Sequence, residues 1–423
     1  DLGDGRLRFG GNSLDRVTAW LGDPPAPLPQ GAHAPVGAAD LRRLGALTAA
    51  TGWRVDLGLT LGHPDPAAAA DEATAAARLV GPGLATVEIG NEPDLFAQDP
   101  DLGLGGYSYE RYRTEVDAYR SALAAAAPGL PVAGPDTAGL AWLPAYVRDE
   151  HAGLAAVTAH FYPLTRCGGA QPTIAALLSA ATARREQSTI EAVVAAASRG
   201  GLPVRLDEVN SASCGGQDGV SNTLASALWM VRYLLDAGRR GVAGVNVHGG
   251  LAACRGYSPL CVAGASGATV VSRPGIDAVA DASLGAGPDD GRLTAQPDFY
   301  GLLLVHQLEG GRWLPVTSDR PSPIEAFALA MPDSSVRVVL VNPDARHAAG
   351  VSIRMATASA AATLLRLTGP ALGAVSGVQY GGAVVAPDGR WRPGPPETVP
   401  AGPDGVRVGV GPASAVVVTI SPR

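Results

Sequence analysis

Short apolar segments that alternate with helical stretches are the feature that most constrains the fold of this chain. Seven such segments occur before residue 250, and each has the length of a β-strand. They are RLRFGG (6–11), WRVDLGLTL (53–61), ATVEIG (85–90), LPVAG (130–134), LAAVTAHFY (154–162), LPVRLDE (202–208) and GVAGVNVH (241–248). Because segments with helical character separate them, we expect parallel strands joined by helical crossovers.

The number of strands points to a (β/α)8 TIM barrel, which needs one strand more than the seven segments. A helix over 293–307 would follow the last strand, so the first barrel strand is expected to precede residue 1 or to be too irregular to detect. The chain also begins at Asp1 without a methionine or signal peptide, so it is expected to be processed or incomplete there.

After about residue 310 the pattern changes to alternating short strands separated by Gly, Pro and Asp turns. The clearest strands are SSVRVVLVN (334–342), GVSIRMA (350–356), GVRVGVG (405–411) and SAVVVTI (414–420). This alternation is typical of an antiparallel β-sandwich. A chain of 423 residues suits one large and one small domain. We therefore predict a catalytic barrel over 1–307 and a β-sandwich domain over 308–423.

The charge balance excludes several classes of partner. The formal net charge is −7, and all 32 positive side chains are arginines. An acidic protein lacks the positive field that attracts nucleic acids, so no nucleic-acid partner is expected. No run of about 18 apolar residues is present, so no membrane span is expected either.

Polar side chains collect at the carboxyl ends of the predicted strands, where barrel enzymes place their chemistry. These residues are Asn12, Asn91, Glu92, Asp136, His160, Tyr162, Glu208 and His248. Two glutamates on different strands suit glycoside hydrolysis, which uses one protonated and one ionised carboxyl group. Strand alternation predicts that one member of the Asp207–Glu208 pair points into the barrel and the other toward the helices.

The segment VEIGNEPD (87–94) contains three acids that should have different tasks. Glu92 ends the strand and is the candidate for chemistry. Glu88 lies four residues earlier with the same strand parity, so it should point into the barrel below Glu92. A buried carboxylate needs a partner, and Arg8 on a nearby strand is the candidate. Asp94 follows the proline and is expected to cap a loop.

Four segments together resemble glycoside hydrolase family 79, which contains β-glucuronidases and heparanases. They are LRFGGNSLD (7–15), EIGNEPD (88–94), AHFYP (159–163) and EVNSASCGGQDGVSNTLASALW (208–229). The resemblance covers the barrel from residue 6 to about 307 and the sandwich after it. It implies a retaining mechanism without a cofactor, in which Glu92 is the general acid/base and Glu208 the nucleophile.

The same resemblance implies roles for the residues around the substrate. Asn91 would bond the sugar 2-hydroxyl, Tyr162 would orient Glu208, and Asn12 and Asp15 would contact hydroxyls of the terminal sugar. The carboxylate of a uronic acid would be held by Tyr257 and by the backbone N–H groups of Gly215 and Gly216. Backbone N–H groups bind anions without a basic side chain, which suits an acidic protein that acts on an acidic sugar.

The histidines at the strand ends could suggest a metal site, but their spacing does not match a known set of ligands. We therefore expect no metal. His160 is predicted to support the site or to contact the sugar.

The four cysteines, Cys167, Cys214, Cys254 and Cys261, form either two disulfides or four separate thiols. Three pairings are possible, and we favour Cys167–Cys214, because these residues follow adjacent barrel strands, together with Cys254–Cys261. Disulfides indicate a secreted protein.

The sequence thus predicts a secreted exo-β-glucuronidase that acts on glucuronide glycosides or oligosaccharides. Three alternatives stay open. One is a heparanase-like endo-β-glucuronidase, and another is a non-catalytic sugar-binding protein on the same barrel. The third is the same catalytic machinery acting on a different β-sugar.

Overall fold

Seven parallel strands form one continuous sheet in the first part of the chain. The computed structural model describes residues 2–22, 25, 27, 32–150, 152–251, 254–262, 293–319, 322–355, 359–402 and 405–422. The strands are β1 (Arg6–Phe9), β2 (Arg54–Leu59), β3 (Leu84–Ile89), β4 (Val132–Thr137), β5 (Leu154–Phe161), β6 (Val204–Val209) and β7 (Val242–Val247). They pair in chain order. The seven predicted strands are confirmed, with bounds that differ by a few residues.

Helices connect these strands, and their ends follow local sequence signals. The longer ones are α1 (Ala38–Thr51), α2 (Pro66–Leu79), α3 (Tyr109–Ala126), α4 (Leu143–Glu150), α5 (Ala180–Ser198), α6 (Leu224–Arg239) and α7 (Pro297–His306). At the start of α2, the Asp65 side chain accepts the N–H groups of Ala67 and Ala68 at 3.1 and 3.0 Å. Gly52 ends α1 with a φ of 75°, a conformation that glycine adopts without strain.

Shorter elements lie in the loops around the barrel. Short helices and 3₁₀ turns cover Ser13–Arg16, Gly81–Gly83, Pro93–Gln98, Cys167–Gly169 and Ile174–Leu177. Two-stranded ladders pair Thr18–Trp20 with Ala34–Val36, Leu164–Thr165 with Ala212–Ser213, and Leu260–Val262 with Leu293–Ala295. The ladder of Leu164–Thr165 with Ala212–Ser213 connects the loops that follow β5 and β6 at the mouth of the barrel.

The parallel sheet curls into a nearly closed barrel. Its edge strands, β1 and β7, approach each other, and Asn246 Nδ2 donates to the backbone oxygen of Arg6 at 3.2 Å. No eighth strand joins this sheet within the described residues. The architecture predicted from the sequence, a TIM barrel followed by a β-sandwich, is confirmed with seven barrel strands in the described part of the chain.

The last part of the chain is an antiparallel sheet that folds into two layers. Its strands are β8 (Arg312–Leu314), β9 (Glu325–Ala330), β10 (Val336–Asn342), β11 (Ala349–Ile353), β12 (Ser359–Thr368), β13 (Gln379–Tyr380), β14 (Glu397–Gly402), β15 (Gly405–Val410) and β16 (Ser414–Pro422). The order is β8-β9-β10-β16-β12-β14-β15-β11, with β13 beside β12. Alternate side chains from the two layers, such as Val338, Leu364 and Val408, form a shared core.

The barrel and the sandwich share a hydrophobic core. Side chains of α6 and α7, including Leu228 and Leu303, pack with Phe327 and Val339 of the sandwich. A sandwich loop also caps α6, since Leu224 N donates to the backbone oxygen of Ala374 at 3.0 Å. The domain boundary at residue 307 stays a prediction, although α7 ends at His306 and β8 begins at Arg312.

No helix among the described residues is both long enough and apolar enough to span a lipid bilayer.

Replacing Leu303 with alanine tests this shared core. Leu303 is 0% exposed, so Leu303→Ala should lower the free energy of unfolding by roughly 2–5 kcal/mol through lost burial and an unfilled cavity. The same change at Leu47, which is 41% exposed, is the matched control and should have little effect. Thermal unfolding of both variants measures the difference. Equal losses of stability would contradict the assignment of this core.

Candidate active site

Glu92 lies at the carboxyl end of β3, in a turn fixed by its neighbours. Its backbone has a left-handed conformation with a φ of 50°, which is uncommon for a residue other than glycine. The Glu92 N–H donates to the backbone oxygen of Asp136 at 2.8 Å. The Asp94 carboxylate accepts the N–H groups of Ala138 and Gly139 at 3.0 and 2.7 Å, so it caps the loop after β4. These contacts hold a strained turn, and the Glu92 side chain is buried within it.

Glu208, near the end of β6, is surrounded by hydrogen-bond donors. Tyr162 Oη donates to its Oε1 at 2.8 Å, and Arg8 Nη1 donates to its Oε2 at 3.1 Å. His248 Nδ1 lies 3.1 Å from Oε1. Burial alone would raise the pKa of Glu208, but the charges of His248, His160 and Arg8 outweigh burial and hold it well below the usual range. The carboxylate is therefore ionised.

The two glutamates face each other across the barrel mouth. A carboxylate oxygen of Glu92, one of Glu208 and a ring nitrogen of His160 all lie within 4.8 Å of one another. His160 Nδ1 is 2.9 Å from Glu92 Oε1. Burial lowers the pKa of His160, but the charge of Glu208 and the hydrogen bond to Glu92 outweigh it and raise the pKa to about 9. His160 thus contacts Glu92 directly and interacts with Glu208 electrostatically.

Arg8 contacts several residues that lie below Glu92 and Glu208 in the barrel. Its Nε donates to Glu88 Oε2 at 2.7 Å, which is the contact predicted from strand parity. Its Nη2 donates to Asn91 Oδ1 at 3.1 Å, and its Nη1 reaches Glu208. Burial raises the pKa of Glu88 to about 7, although the charge of Arg8 opposes that shift. The Arg8 side chain is 5% exposed, so its charge acts in a medium of low polarity.

Asp207 corrects the expectation from strand alternation. Its Oδ2 lies 3.4 Å from Arg8 Nε, and its Oδ1 lies 3.8 Å from His160 Nε2. Asp207 and Glu208 therefore both reach the barrel interior, and the prediction that one of them points toward the helices is wrong. The pairing of β6 with both of its neighbours contains register shifts near its end, which relaxes strict alternation.

Asn12, Asp15 and Asn91 lie together beside Glu92. Asn91 Nδ2 donates to Asn12 Oδ1 at 3.3 Å. Asp15 Oδ1 accepts the N–H groups of Leu61 and Gly62 at 2.5 and 2.9 Å, and its Oδ2 accepts that of Asn91 at 2.7 Å. Asp15 thus orients the backbone of two segments, and its contact with a sugar hydroxyl stays a prediction.

A cavity of about 140 Å³ opens beside these residues. Polar groups of Asn12, Asp15, Asn91 and Glu92 line one part of it, and Phe96 lines another. Glu92 thus borders a cavity that is smaller than the roughly 300–1,000 Å³ of common ligand pockets.

The glycine segment after β6 has a backbone conformation that favours glycine. Gly215 and Gly216 have φ angles of 83° and 76°, which glycine tolerates better than other residues. In the described part of the chain, neither of their N–H groups has a hydrogen-bond acceptor. Tyr257 lies nearby, since its ring approaches the position of a Cβ on Gly216 at 2.9 Å. The structure thus brings together the three residues predicted to bind a carboxylate.

Disulfides fix both sides of this segment. They join Cys167 to Cys214 and Cys254 to Cys261, the pairing favoured from the sequence. The first bridge precedes Gly215 directly, and the second encloses Tyr257.

His248 is a site residue whose role the sequence did not reveal. Its Nδ1 lies 2.5 Å from Tyr162 Oη and 3.0 Å from Tyr257 Oη, in addition to its contact with Glu208. Its position at the carboxyl end of the last barrel strand was the available signal. The sequence could not indicate which side chains it contacts.

Two clusters in the described residues have the spacing of metal ligands: Glu92 with His160 and Glu208, and Asp136 with His160 and Asp207. The guanidinium of Arg8 contacts an acid of each cluster. This positive charge opposes a cation in the same space.

Comparisons with known proteins establish the fold. No protein-family model matches the chain, and no curated protein matches it. Among solved structures it is similar to a 4-O-α-L-rhamnosyl-β-D-glucuronidase from Fusarium oxysporum in complex with Rha-GlcA, with a TM-score of 0.76 and 18% identity over 98% of this chain and 88% of that one.

Two arabinofuranosidases share the same fold. The family 51 enzyme from Xanthomonas axonopodis has a TM-score of 0.68 and 15% identity over 99% of this chain and 87% of that one. The enzyme from Thermotoga maritima has a TM-score of 0.64 and 15% identity over 98% and 87%. The structural neighbours are thus glycoside hydrolases.

Replacing Glu88 tests whether the buried Arg8–Glu88 pair stabilises the protein. Glu88→Ala removes the acceptor of Arg8 Nε and leaves this buried donor without a partner, so it should lower the free energy of unfolding by roughly 1–3 kcal/mol. Chemical denaturation measures this change. Glu309→Ala, at a pair with His306 in which the Glu309 side chain is 54% exposed, is the control and should have no measurable effect. An unchanged stability of Glu88→Ala would show that the Arg8–Glu88 pair does not stabilise the protein.

Proposed function

We propose that the protein is a retaining exo-β-glucuronidase of the family 79 type, which hydrolyses terminal β-linked glucuronic acid from glycosides. The observation that carries this proposal is the approach of Glu92 and Glu208 to within 4.8 Å. Retaining glycosidases hold their two carboxyl groups about 5 Å apart, whereas inverting enzymes leave room for a water molecule at roughly 6.5–9.5 Å.

The first step forms a glycosyl-enzyme bond. Glu208 attacks the anomeric carbon as the C–O bond to the aglycone breaks, and Glu92 gives its proton to the leaving oxygen. Glu208 is suited to this attack because its donors keep it ionised and fix its orientation. Asn91 lies beside Glu92 and would bond the 2-hydroxyl, a contact that strengthens as positive charge develops on the sugar.

The second step releases the sugar. Glu92, now a carboxylate, takes a proton from water, the water oxygen attacks the anomeric carbon, and Glu208 leaves as a carboxylate. Two inversions at the same carbon give glucuronic acid with its original β configuration. Glu92 regains its proton in this step, so the cycle needs no cofactor.

The preference for an acidic sugar rests on the glycine segment. The N–H groups of Gly215 and Gly216 have no acceptor among the described residues, and the Tyr257 ring lies against Gly216. The glucuronidase among the structural neighbours is consistent with this assignment. Extracellular function is part of the proposal, because both cysteine pairs are bridged and disulfides persist in oxidising compartments.

Two isosteric variants test the assigned roles. Glu208→Gln removes the nucleophile and should lower kcat for aryl β-glucuronides by at least about 10⁴-fold. Glu92→Gln should lower kcat/KM, which reports the first step, by about 10²–10⁴-fold for poor leaving groups and much less for dinitrophenolate, which needs no proton. Azide should rescue Glu92→Gln and yield a β-glucuronosyl azide, identified by NMR. An equal loss for all leaving groups would contradict the role of Glu92.

Substrate class is tested with a panel of aryl β-glycosides that differ only at C5. The glucuronide should have the highest kcat/KM, and the glucoside and xyloside should be poor substrates because they lack the carboxylate. A heparan-type polysaccharide in the same assay separates exo from endo action. Preference for a neutral sugar would contradict the carboxylate cradle, and internal cleavage without hydrolysis of aryl glucuronides would contradict exo action.

A further inference from the structure

A cluster of buried acids lies directly below the two glutamates of the mouth. Asp136 on β4 and Asp207 on β6 are 0% and 2% exposed, and His160 on β5 lies between their strands. An oxygen of each aspartate and a ring nitrogen of His160 all lie within 4.8 Å of one another. The proposed mechanism gives neither aspartate a task.

Many polar atoms of this cluster, and one of the neighbouring Glu88, lack a hydrogen bond. Both carboxylate oxygens of Asp136, both of Asp207, one of Glu88 and Nε2 of His160 are buried without a hydrogen-bond partner in the described residues. Two ionised carboxylates at this separation in a buried site repel strongly, and each would lack donors. One proton shared by Asp136 and Asp207 lowers the charge of the pair from −2 to −1 and gives one carboxyl group an O–H that can donate to the other.

Strands and helices around the cluster contribute charged or titratable groups. They are Arg8, Asp56, Glu88, Glu92, Tyr112, Tyr146, His160 and Glu208. Arg8 Nε is 3.4 Å from Asp207 Oδ2 and already pairs with Glu88 and Glu208. One arginine therefore contacts three acids and interacts electrostatically with a fourth, Asp136, which leaves an excess of negative charge for protons to offset.

We propose that Asp136 and Asp207 share one proton, and that the single negative charge left on this pair acts together with Glu208 and Glu92 to keep His160 an imidazolium whose Nδ1–H donates to Glu92. Asp136 is then a positioning residue for the proton donor. The positioning role of Asp136 rests on the proposed function. The proton shared by Asp136 and Asp207 does not rest on it.

The electrostatic environment agrees with this arrangement. Burial raises the pKa of Asp136 well above its usual range, and the charges of Glu88 and Asp207 raise it further. Asp136 also supports Glu92 through the backbone, since its carbonyl oxygen accepts the Glu92 N–H at 2.8 Å.

The arrangement has a consequence for catalysis. His160 Nδ1 lies 2.9 Å from Glu92 Oε1. An imidazolium donates at that oxygen throughout the cycle, so the proton that Glu92 gives to the leaving group resides on Oε2.

Three isosteric variants test the shared proton, with the His160 imidazole followed by NMR titration. Asp136→Asn and Asp207→Asn each keep one negative charge on the pair, because the amide N–H replaces the shared proton. Each should leave the titration midpoint of His160 within about 0.3 pH units of the wild-type value. The double variant has no charge, and it should lower the midpoint by about one pH unit or more.

The outcomes separate the alternatives without an activity assay, so failure of the proposed function cannot be mistaken for failure of this inference. A shift of about one pH unit in either single variant would mean that both aspartates are ionised, which overturns the proposal. An unchanged midpoint in the double variant would mean that the pair is uncharged or uncoupled from His160, which also overturns it.

Two measurements on the wild-type protein cover the case in which the double variant does not fold. Carbon-13 NMR of the carboxyl groups should show one proton retained on the Asp136–Asp207 pair from pH 4 to 8, and two ordinary titrations near pH 4 would contradict it. Metal analysis of the protein purified without a chelator should find no divalent cation. One cation per chain would show that a metal ion occupies the place of the proton.

Discussion

The guanidinium of Arg8 is the interaction on which the rest of the site depends. It is buried at the first strand of the sheet, and it contacts Glu88 on β3, Asp207 and Glu208 on β6, and Asn91 beside Glu92. A buried cation is stable only when anions and acceptors surround it. In turn, each of these acids is stable in the barrel because Arg8 is there. The Glu208 carboxylate and the turn that holds Glu92 are thus fixed by one residue.

Around that centre the fold gives the two glutamates different hydrogen-bond partners. Glu208 receives donors from Tyr162, Arg8 and His248, so it stays ionised. Glu92 instead sits in a strained turn with His160 at one oxygen. Glycoside hydrolysis needs two carboxyl groups with such different surroundings. The rigid sheet supplies their separation, and the disulfide-linked loops place the glycine segment at the rim.

Much of this was predictable from the sequence, and the reasons are physical. The barrel strands were found because continuous apolar segments bounded by turns are distinctive, and strand parity placed Glu88 opposite Arg8. Strand β12 (Ser359–Thr368) was missed because its alanine-rich start shows no alternation. Asp207 was misplaced because register shifts beside β6 relax the alternation. The pairing of Asp136 with Asp207, and the contacts of His248, depend on distances between strands that no local pattern contains.

The most direct test of the account is to trap the covalent intermediate on Glu208. A uronic-acid analogue of cyclophellitol should react with the wild-type protein, and peptide mass spectrometry should locate the adduct on the peptide that contains Glu208. Glu208→Gln should not be labelled, whereas Glu92→Gln should react more slowly at the same peptide. An adduct on Glu92, or no adduct with a folded protein, would contradict the claim that Glu208 is the nucleophile of a retaining glucuronidase.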